Sequence, residues 1–181
     1  MVRMRVCRIR KGFTILEEAI VIGVIAILAI PVVFLLKQTI RVQVYQESAL
    51  KGQYYANLIM QDFERKIRCA KPGTIVIDSA TSYYRVTFTY PKSDSNGNYV
   101  YDVTYNYELD NPGTDNSLFY RWDSTGTKTL FPQGIEPGLI EDFELPSYNI
   151  DATAPPPYYV VVKITTSKGL VLQKTIYLVN Y

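Results

Sequence analysis

Residues 19–36 form a run of eighteen residues without a charged or amide side chain, and that run limits what the chain can become. A helix rises about 1.5 Å per residue, so eighteen residues are close to the minimum that spans a hydrocarbon core of about 30 Å. Arg3, Arg5, Arg8, Arg10 and Lys11 place five positive charges and no negative ones in the first twelve residues, whereas Lys37 and Arg41 follow the run. The heavier positive side stays in the cytoplasm, so this asymmetry predicts a cytoplasmic amino terminus and an extracytoplasmic remainder. A cleaved secretory signal would need a small-x-small site after the apolar run. The segment Pro31-Val32-Val33-Phe34-Leu35-Leu36-Lys37-Gln38 offers none, and the run is expected to stay as a single membrane-spanning helix.

The formal charge of +2 hides this uneven placement, because without the first twelve residues the chain carries 14 Lys+Arg against 17 Asp+Glu. The basic character therefore belongs to the amino-terminal segment, and no nucleic-acid partner is predicted for this chain alone. Histidine is absent, which excludes His-based triads, His general bases and His-containing zinc sites. The two cysteines are Cys7, within the basic segment, and Cys69. With Cys7 removed, Cys69 has no intramolecular partner, and burial on a helix face is its expected state.

Glu17 and Glu18 stand at the mouth of the apolar run. Carboxylates that enter hydrocarbon cost several kcal/mol unless they are paired. One reading leaves both solvated at headgroup level, stabilising a helix amino terminus through its dipole. The other gives at least one of them a cationic partner.

The heptapeptide Lys11-Gly12-Phe13-Thr14-Ile15-Leu16-Glu17, with a basic leader before it and an apolar helix after it, resembles the class III signal of type IV pilins and of the pseudopilins of type II secretion. Four features coincide: the basic residues Arg8, Arg10 and Lys11, the Gly12–Phe13 junction, a glutamate five residues into the new chain, and an uninterrupted apolar helix. The resemblance implies that a membrane-bound prepilin peptidase cuts after Gly12 on the cytoplasmic side and N-methylates Phe13. It also implies that Glu17 neutralises the amino-terminal charge of a neighbouring subunit in an apolar filament core, where an unpaired charge is costly. Gly23 and Pro31 resemble the glycine and proline that bracket a loosened stretch in many pilin helices, and both are poor residues for a straight helix. The chain departs from the family in three ways: Glu18 stands where an apolar residue is usual, Gly23 and Pro31 lie nearer the junction, and the leader is long.

Beyond the span the helical pattern continues. Tyr55, Leu58, Ile59, Phe63, Ile67 and Ala70 share one helical face, and Gln53, Gln61, Glu64, Arg65 and Arg68 lie opposite, so this half is expected to pack on a domain. Lys71-Pro72-Gly73 supplies a stop, which predicts a helix over residues 14–70, roughly 85 Å long, with Gly52 as its weak point. From there the period changes to two. Tyr84, Val86, Phe88 and Tyr90 alternate with Arg85, Thr87 and Thr89, and Tyr99, Tyr101, Val103, Tyr105 and Tyr107 form a second alternating run. The intervening Ser93-Asp94-Ser95-Asn96-Gly97-Asn98 predicts a hairpin with an Asn-Gly turn. Further strands are expected at 74–78, 117–122, 140–145, 158–166 and 170–179. The fold class is α+β: a long amino-terminal helix, transmembrane in its first half, packed by its second half against an antiparallel sheet. The domain reading is a leader at 1–12, a membrane and assembly segment at 13–38, an extracytoplasmic amphipathic segment at 39–72 and a β-rich head at 73–181.

The likeness extends into the head. Gln61-Asp62-Phe63-Glu64-Arg65, the strand at 103–109 followed by Leu118-Phe119-Tyr120-Arg121, the connector at 135–143 and a last strand ending Val179-Asn180-Tyr181 are similar to minor pilins and J-type minor pseudopilins. Such subunits occur in few copies and belong to a tip or priming complex. What the resemblance implies is a single-pass protein of the bacterial inner membrane with a periplasmic head. Its partners would be prepilin peptidase, other major and minor pilins or pseudopilins, an inner-membrane assembly platform and, before assembly, lipid. No cofactor is called for.

Other candidate sites are weaker. Asp94, Asn96 and Asn98 could supply oxygen ligands to Ca²⁺, but the twelve-residue loop pattern is incomplete and a plain turn accounts for them. Glu136, Glu141, Asp142 and Glu144 read as a solvated acidic edge. Sixteen tyrosines could stack on sugars or bases, yet their period-two placement assigns most of them to sheet packing. Ala152-Thr153-Ala154-Pro155-Pro156-Pro157 reads as a stiff surface loop. Three functions therefore stand: a filament-initiating structural subunit, which leads; a filament-tip binding module, as adhesin or DNA receptor; and a membrane-anchored enzyme, disfavoured because no catalytic motif is present.

Overall fold

A computed structural model describes residues 14–93, 96–124 and 126–179. The leader cations Arg8, Arg10 and Lys11, the Gly12–Phe13 junction, Cys7, Asp94 and the terminal Asn180 and Tyr181 lie outside the described residues. The chain divides into two compact units, Met1–Tyr45 and Gln46–Tyr181.

The described part of the first unit is helical. Helix α1 (Ile15–Ile67) begins there, and all of residues 14–45 are exposed. This stretch is long and apolar enough to cross a membrane. Pro31 lies inside the helix; it has no N–H, so the bond that would reach back to the Ile27 carbonyl is missing.

In the second unit the last turns of α1 pack on two antiparallel sheets. Strands β1 (Val76–Ala80), β2 (Tyr83–Ser93), β3 (Tyr99–Asp110), β4 (Leu118–Asp123) and β5 (Thr129–Leu130) form one sheet in sequence order. Strands β6 (Ile140–Asn149), β7 (Tyr159–Thr166) and β8 (Val171–Tyr177) form the other. The architecture is α+β as the periodicity predicts, with two sheets where one was expected. Gly113 N donates to Glu141 O (2.7 Å), Leu145 N donates to the Tyr84 hydroxyl (2.9 Å), and Ser117 Oγ donates to Ile140 O. These bonds tie the sheets together without a continuous strand ladder.

The core is built from one stripe of α1 and the inner faces of both sheets. Ala56, Ile59, Met60, Phe63 and Ile67 are buried with Val86, Phe88, Tyr107, Leu109, Phe119, Phe143, Val160, Val162, Ile164 and Ile176. Phe63 is its centre: its ring meets Phe88, Tyr107 and Phe143 edge-on at centroid distances of 5.9, 5.0 and 5.5 Å. Such pairs add about 0.5–1.5 kcal/mol each beyond area burial.

At Gly52, the expected weak point, α1 runs without a break and the residue is buried. A Cβ there would stand 3.4 Å from Thr166 Cβ and 3.6 Å from Leu139 O, ordinary van der Waals contact. Two expectations are corrected. The helix ends at Ile67, three residues early, because Cys69 N bonds Lys66 O (3.3 Å) and Ala70 N bonds Ile67 O (2.9 Å), tightening the last turn to an i→i+3 pattern. Cys69 therefore lies in that turn, and it is half-buried rather than buried. The hairpin is as expected, with β2 ending at Ser93, β3 starting at Tyr99 and Gly97 at φ +84°. The short β5, unforeseen, pairs with β4 through Tyr120↔Leu130 and Arg121↔Thr129.

Candidate functional site

Of the residues that the heptapeptide singles out, the structure describes Glu17 together with its neighbours from Thr14 on. Thr14 precedes the first helical residue and stands three positions before Glu17. Thr14 N and the Thr14 hydroxyl both donate to Glu17 Oε2, at 2.8 and 3.0 Å, and Glu17 N donates to Thr14 Oγ1 at 3.4 Å. This is a capping box, in which side chain and backbone reciprocally satisfy donors that a helix start leaves open. It also holds a negative charge at the positive end of the helix dipole. Among the described residues no donor reaches Glu17 Oε1, so the cap leaves an acceptor oxygen at the helix tip. Glu18 is exposed, and its N donates to Thr14 O at 3.1 Å.

After this cap comes a helix whose apolar side chains are open on all sides. Ile15, Ile20, Ile25, Leu28, Val33 and Leu36 are among those exposed. A large apolar surface of this kind is stable only when lipid or other apolar helices cover it. A Cβ at Gly23 would meet nothing within 4 Å, so no packing among the described residues accounts for this glycine.

In the second unit several charged side chains are tied up structurally. On α1, Asp62 accepts from the Tyr107 hydroxyl at 2.6 Å and from Arg121 at 2.7 Å, with Arg65 at 3.4 Å. Burial above all, then the Asp62 charge, pushes the Tyr107 phenol far above its ordinary range. Burial is the largest single influence and works against the Arg121 charge, but the Asp62 hydrogen bond and the Asp62 charge, with smaller help from Tyr107 and Tyr105, together outweigh it and the Arg121 pKa rises. One helical position group further, Glu64 is bonded by Lys174 of β8 at 2.6 Å and by Arg68. The Lys174 bond, with help from Arg68, lowers the Glu64 pKa although burial opposes it. On the outer face of the larger sheet, Glu108 is only 2% exposed and is neutralised by Arg85 and Lys128.

The acidic edge is dispersed. Glu136 pairs with Lys51 at 2.9 Å, Glu144 pairs with Lys163 at 2.6 Å, and Glu141 is exposed. Asp142 has a raised pKa, from burial first and the Glu144 charge second. Asn96 and Asn98 are exposed in the β2–β3 turn, and among the described residues no three His, Cys, Asp or Glu side chains are grouped to hold a metal. The loop at 152–157 is fastened by Asn149 Nδ2, which donates to Pro155 O (3.1 Å) and Pro157 O (3.0 Å).

Sequence reasoning missed the part played by Thr14, although the Thr-x-x-Glu spacing is a readable capping signal. It also missed Asp62, whose partners lie 45 and 59 residues away and leave no local pattern. No protein-family model, curated protein or solved structure matches the chain.

Proposed function

We propose that the protein is a minor pilin-like subunit, a pseudopilin or minor pilin, that prepilin peptidase processes between Gly12 and Phe13 and that then joins a filament through its apolar helix. The observation that carries this reading is the coincidence of the Lys11–Glu17 heptapeptide with a capped helix whose apolar surface is uncovered all round. A plain membrane anchor needs the apolar surface and can use Glu17 as a helix cap, but it gives no reason for the Gly12–Phe13 junction directly before that cap. A filament subunit uses all three: lipid covers the helix before assembly and neighbouring helices cover it afterwards, while Glu17 Oε1 accepts the charge of a neighbour's Phe13 amino group.

In this reading the protein starts in the bacterial inner membrane, amino terminus in the cytoplasm and head in the periplasm, on an assembly platform with other pilins or pseudopilins. The β-rich head and its likeness to minor subunits favour a place in a tip or initiating complex. The function is structural, with no catalytic step. The deciding measurement is mass spectrometry of the mature amino terminus from a host with an active prepilin peptidase. Methylated Phe13 is the expected first residue. Intact Met1, or a cut beyond Leu36, would overturn the assignment.

A further inference from the structure

Where the end of α1 faces β3, β4 and the β4–β5 hairpin, the second unit holds a cavity of about 410 Å³ whose walls include Arg65, Lys66, Tyr105, Arg121, Asp123 and Thr127. The cavity's volume falls within the range of small-molecule pockets, about 300–1,000 Å³, while its walls are more polar than apolar and open to solvent, which suits a polar ligand. Three cations and one carboxylate, Asp123, line it; Asp123 already has a partner, and Asp62, outside the lining, takes Arg121 and, at longer range, Arg65.

The cations differ in how far the protein itself uses them. Arg121 is committed to Asp62 at 2.7 Å and lies over the Phe131 ring at 4.1 Å. Arg65 is 74% exposed and makes one long contact, to Asp62 at 3.4 Å. Lys66 is held in place without being neutralised: its ammonium stands 4.8 and 4.6 Å from the Tyr90 and Tyr105 ring centroids and donates to the Tyr105 hydroxyl at 3.4 Å. Among the described residues no carboxylate comes within ion-pair distance of Lys66. Two aromatic faces thus fix a charged amine at a cavity wall, and its remaining N–H groups stay available. Because Lys66 donates to Tyr105 Oη, the phenol proton is left to donate in turn. Thr127 adds a further hydroxyl at the hairpin.

We propose that this cavity binds a small, hydroxyl-rich carboxylate, the chemistry of an acidic sugar. Lys66 and Arg65 hold the carboxylate by charge-assisted hydrogen bonds, and the Tyr105 and Thr127 hydroxyls bond the ring hydroxyls. A nucleic-acid strand fits less well: it needs open aromatic faces on which bases stack, whereas here cations lie over the rings, Lys66 over Tyr90 and Tyr105, and Arg85 and Lys128 over Trp122, which also lines the cavity. The site does not depend on the filament role, and it would operate on a plain membrane anchor as well.

The test is calorimetric titration of the full-length protein in detergent micelles with N-acetylneuraminate, glucuronate, neutral glucose and a tetraglutamate peptide. At least one acidic sugar is expected to bind saturably, about tenfold or more tighter than glucose. Lys66→Met and Arg65→Gln are each expected to weaken that binding about tenfold or more, while Lys66→Arg retains it. Lys174→Met, outside the cavity, leaves it unchanged. Arg65 is so exposed that Arg65→Gln tests the site even if Lys66→Met fails to fold. Absence of binding, equal affinity for glucose, indifference to both charge-removing variants, or binding of tetraglutamate without either sugar would each overturn the proposal.

Discussion

The carboxylate of Asp62 on α1 accepts a 2.6 Å hydrogen bond from the hydroxyl of Tyr107 on β3, whose ring is fully buried. The same oxygen takes Arg121 of β4 at 2.7 Å, so one helical side chain satisfies two groups that cannot reach bulk water freely. Removing the acceptor is then worse than removing one donor. Asp62→Ala is expected to destabilise the protein by about 2–4 kcal/mol, because it leaves a buried hydroxyl and a half-buried guanidinium without their partner. Tyr107→Phe keeps the ring packing and the Asp62–Arg121 pair, so about 1 kcal/mol is expected. Urea unfolding of the detergent-solubilised chain would measure both, and equal losses would contradict the shared-acceptor account.

Gly52 separates close approach from flexibility. At 3.4 Å from Thr166 Cβ and 3.6 Å from Leu139 O, an added methyl group makes ordinary van der Waals contact. Gly52→Ala is therefore expected to keep stability or raise it by up to about 1 kcal/mol, through better helix propensity. Gly52→Leu has no room for its branch and should cost about 1–3 kcal/mol by overpacking. A large loss with alanine would mean that the helix needs glycine's backbone freedom at this point.

The Glu64–Lys174 pair predicts a pH dependence. Its hydrogen bond lowers the Glu64 pKa in the folded state, so the folded protein binds fewer protons there than the unfolded chain. The resulting stabilisation is fully present above the unfolded glutamate pKa of about 4.3 and is lost as pH falls through the lowered folded value. Unfolding midpoints followed from about pH 6 to pH 3 should fall more steeply for the wild type than for Glu64→Gln. Parallel profiles would show that the pair contributes nothing measurable.

How far the sequence spoke depended on whether a signal was local. The alternation of Tyr84, Val86, Phe88 and Tyr90 located β2, and the Asn-Gly turn located the β2–β3 hairpin, because side-chain period and turn chemistry act over a few residues. The packing stripe was readable in Ile59, Phe63 and Ile67 but incomplete, since Gly52 and Ala56 are small enough to be passed over and are buried because they are small. The division into two sheets was not legible. It rests on Ser117, Tyr84 and Gly113 bonding residues of β6 that are 23, 61 and 28 positions away. The cavity beside Lys66 has the same origin, because α1, β3, β4 and the β4–β5 hairpin meet there only after folding. At the amino terminus the reverse holds: Glu17 stood out as a charge, and the structure adds that Thr14 holds it.

That addition makes the role of Glu17 divisible into two parts. As a cap it needs an acceptor three residues after Thr14, and glutamine serves in a capping box as glutamate does. As a counter-charge to a neighbouring amino group it needs to be negative. Glu17→Ala removes both properties, whereas Glu17→Gln keeps the cap and removes the charge. If charge pairing drives assembly, both variants are expected to be processed and methylated normally and both to fail to enter filaments. Gly12→Leu, by contrast, should block processing itself. Pull-down of the variants with co-expressed filament subunits, read beside amino-terminal mass spectrometry, separates the outcomes. Filament entry by Glu17→Gln but not by Glu17→Ala would assign the residue to helix capping, and entry by both would remove Glu17 from assembly altogether.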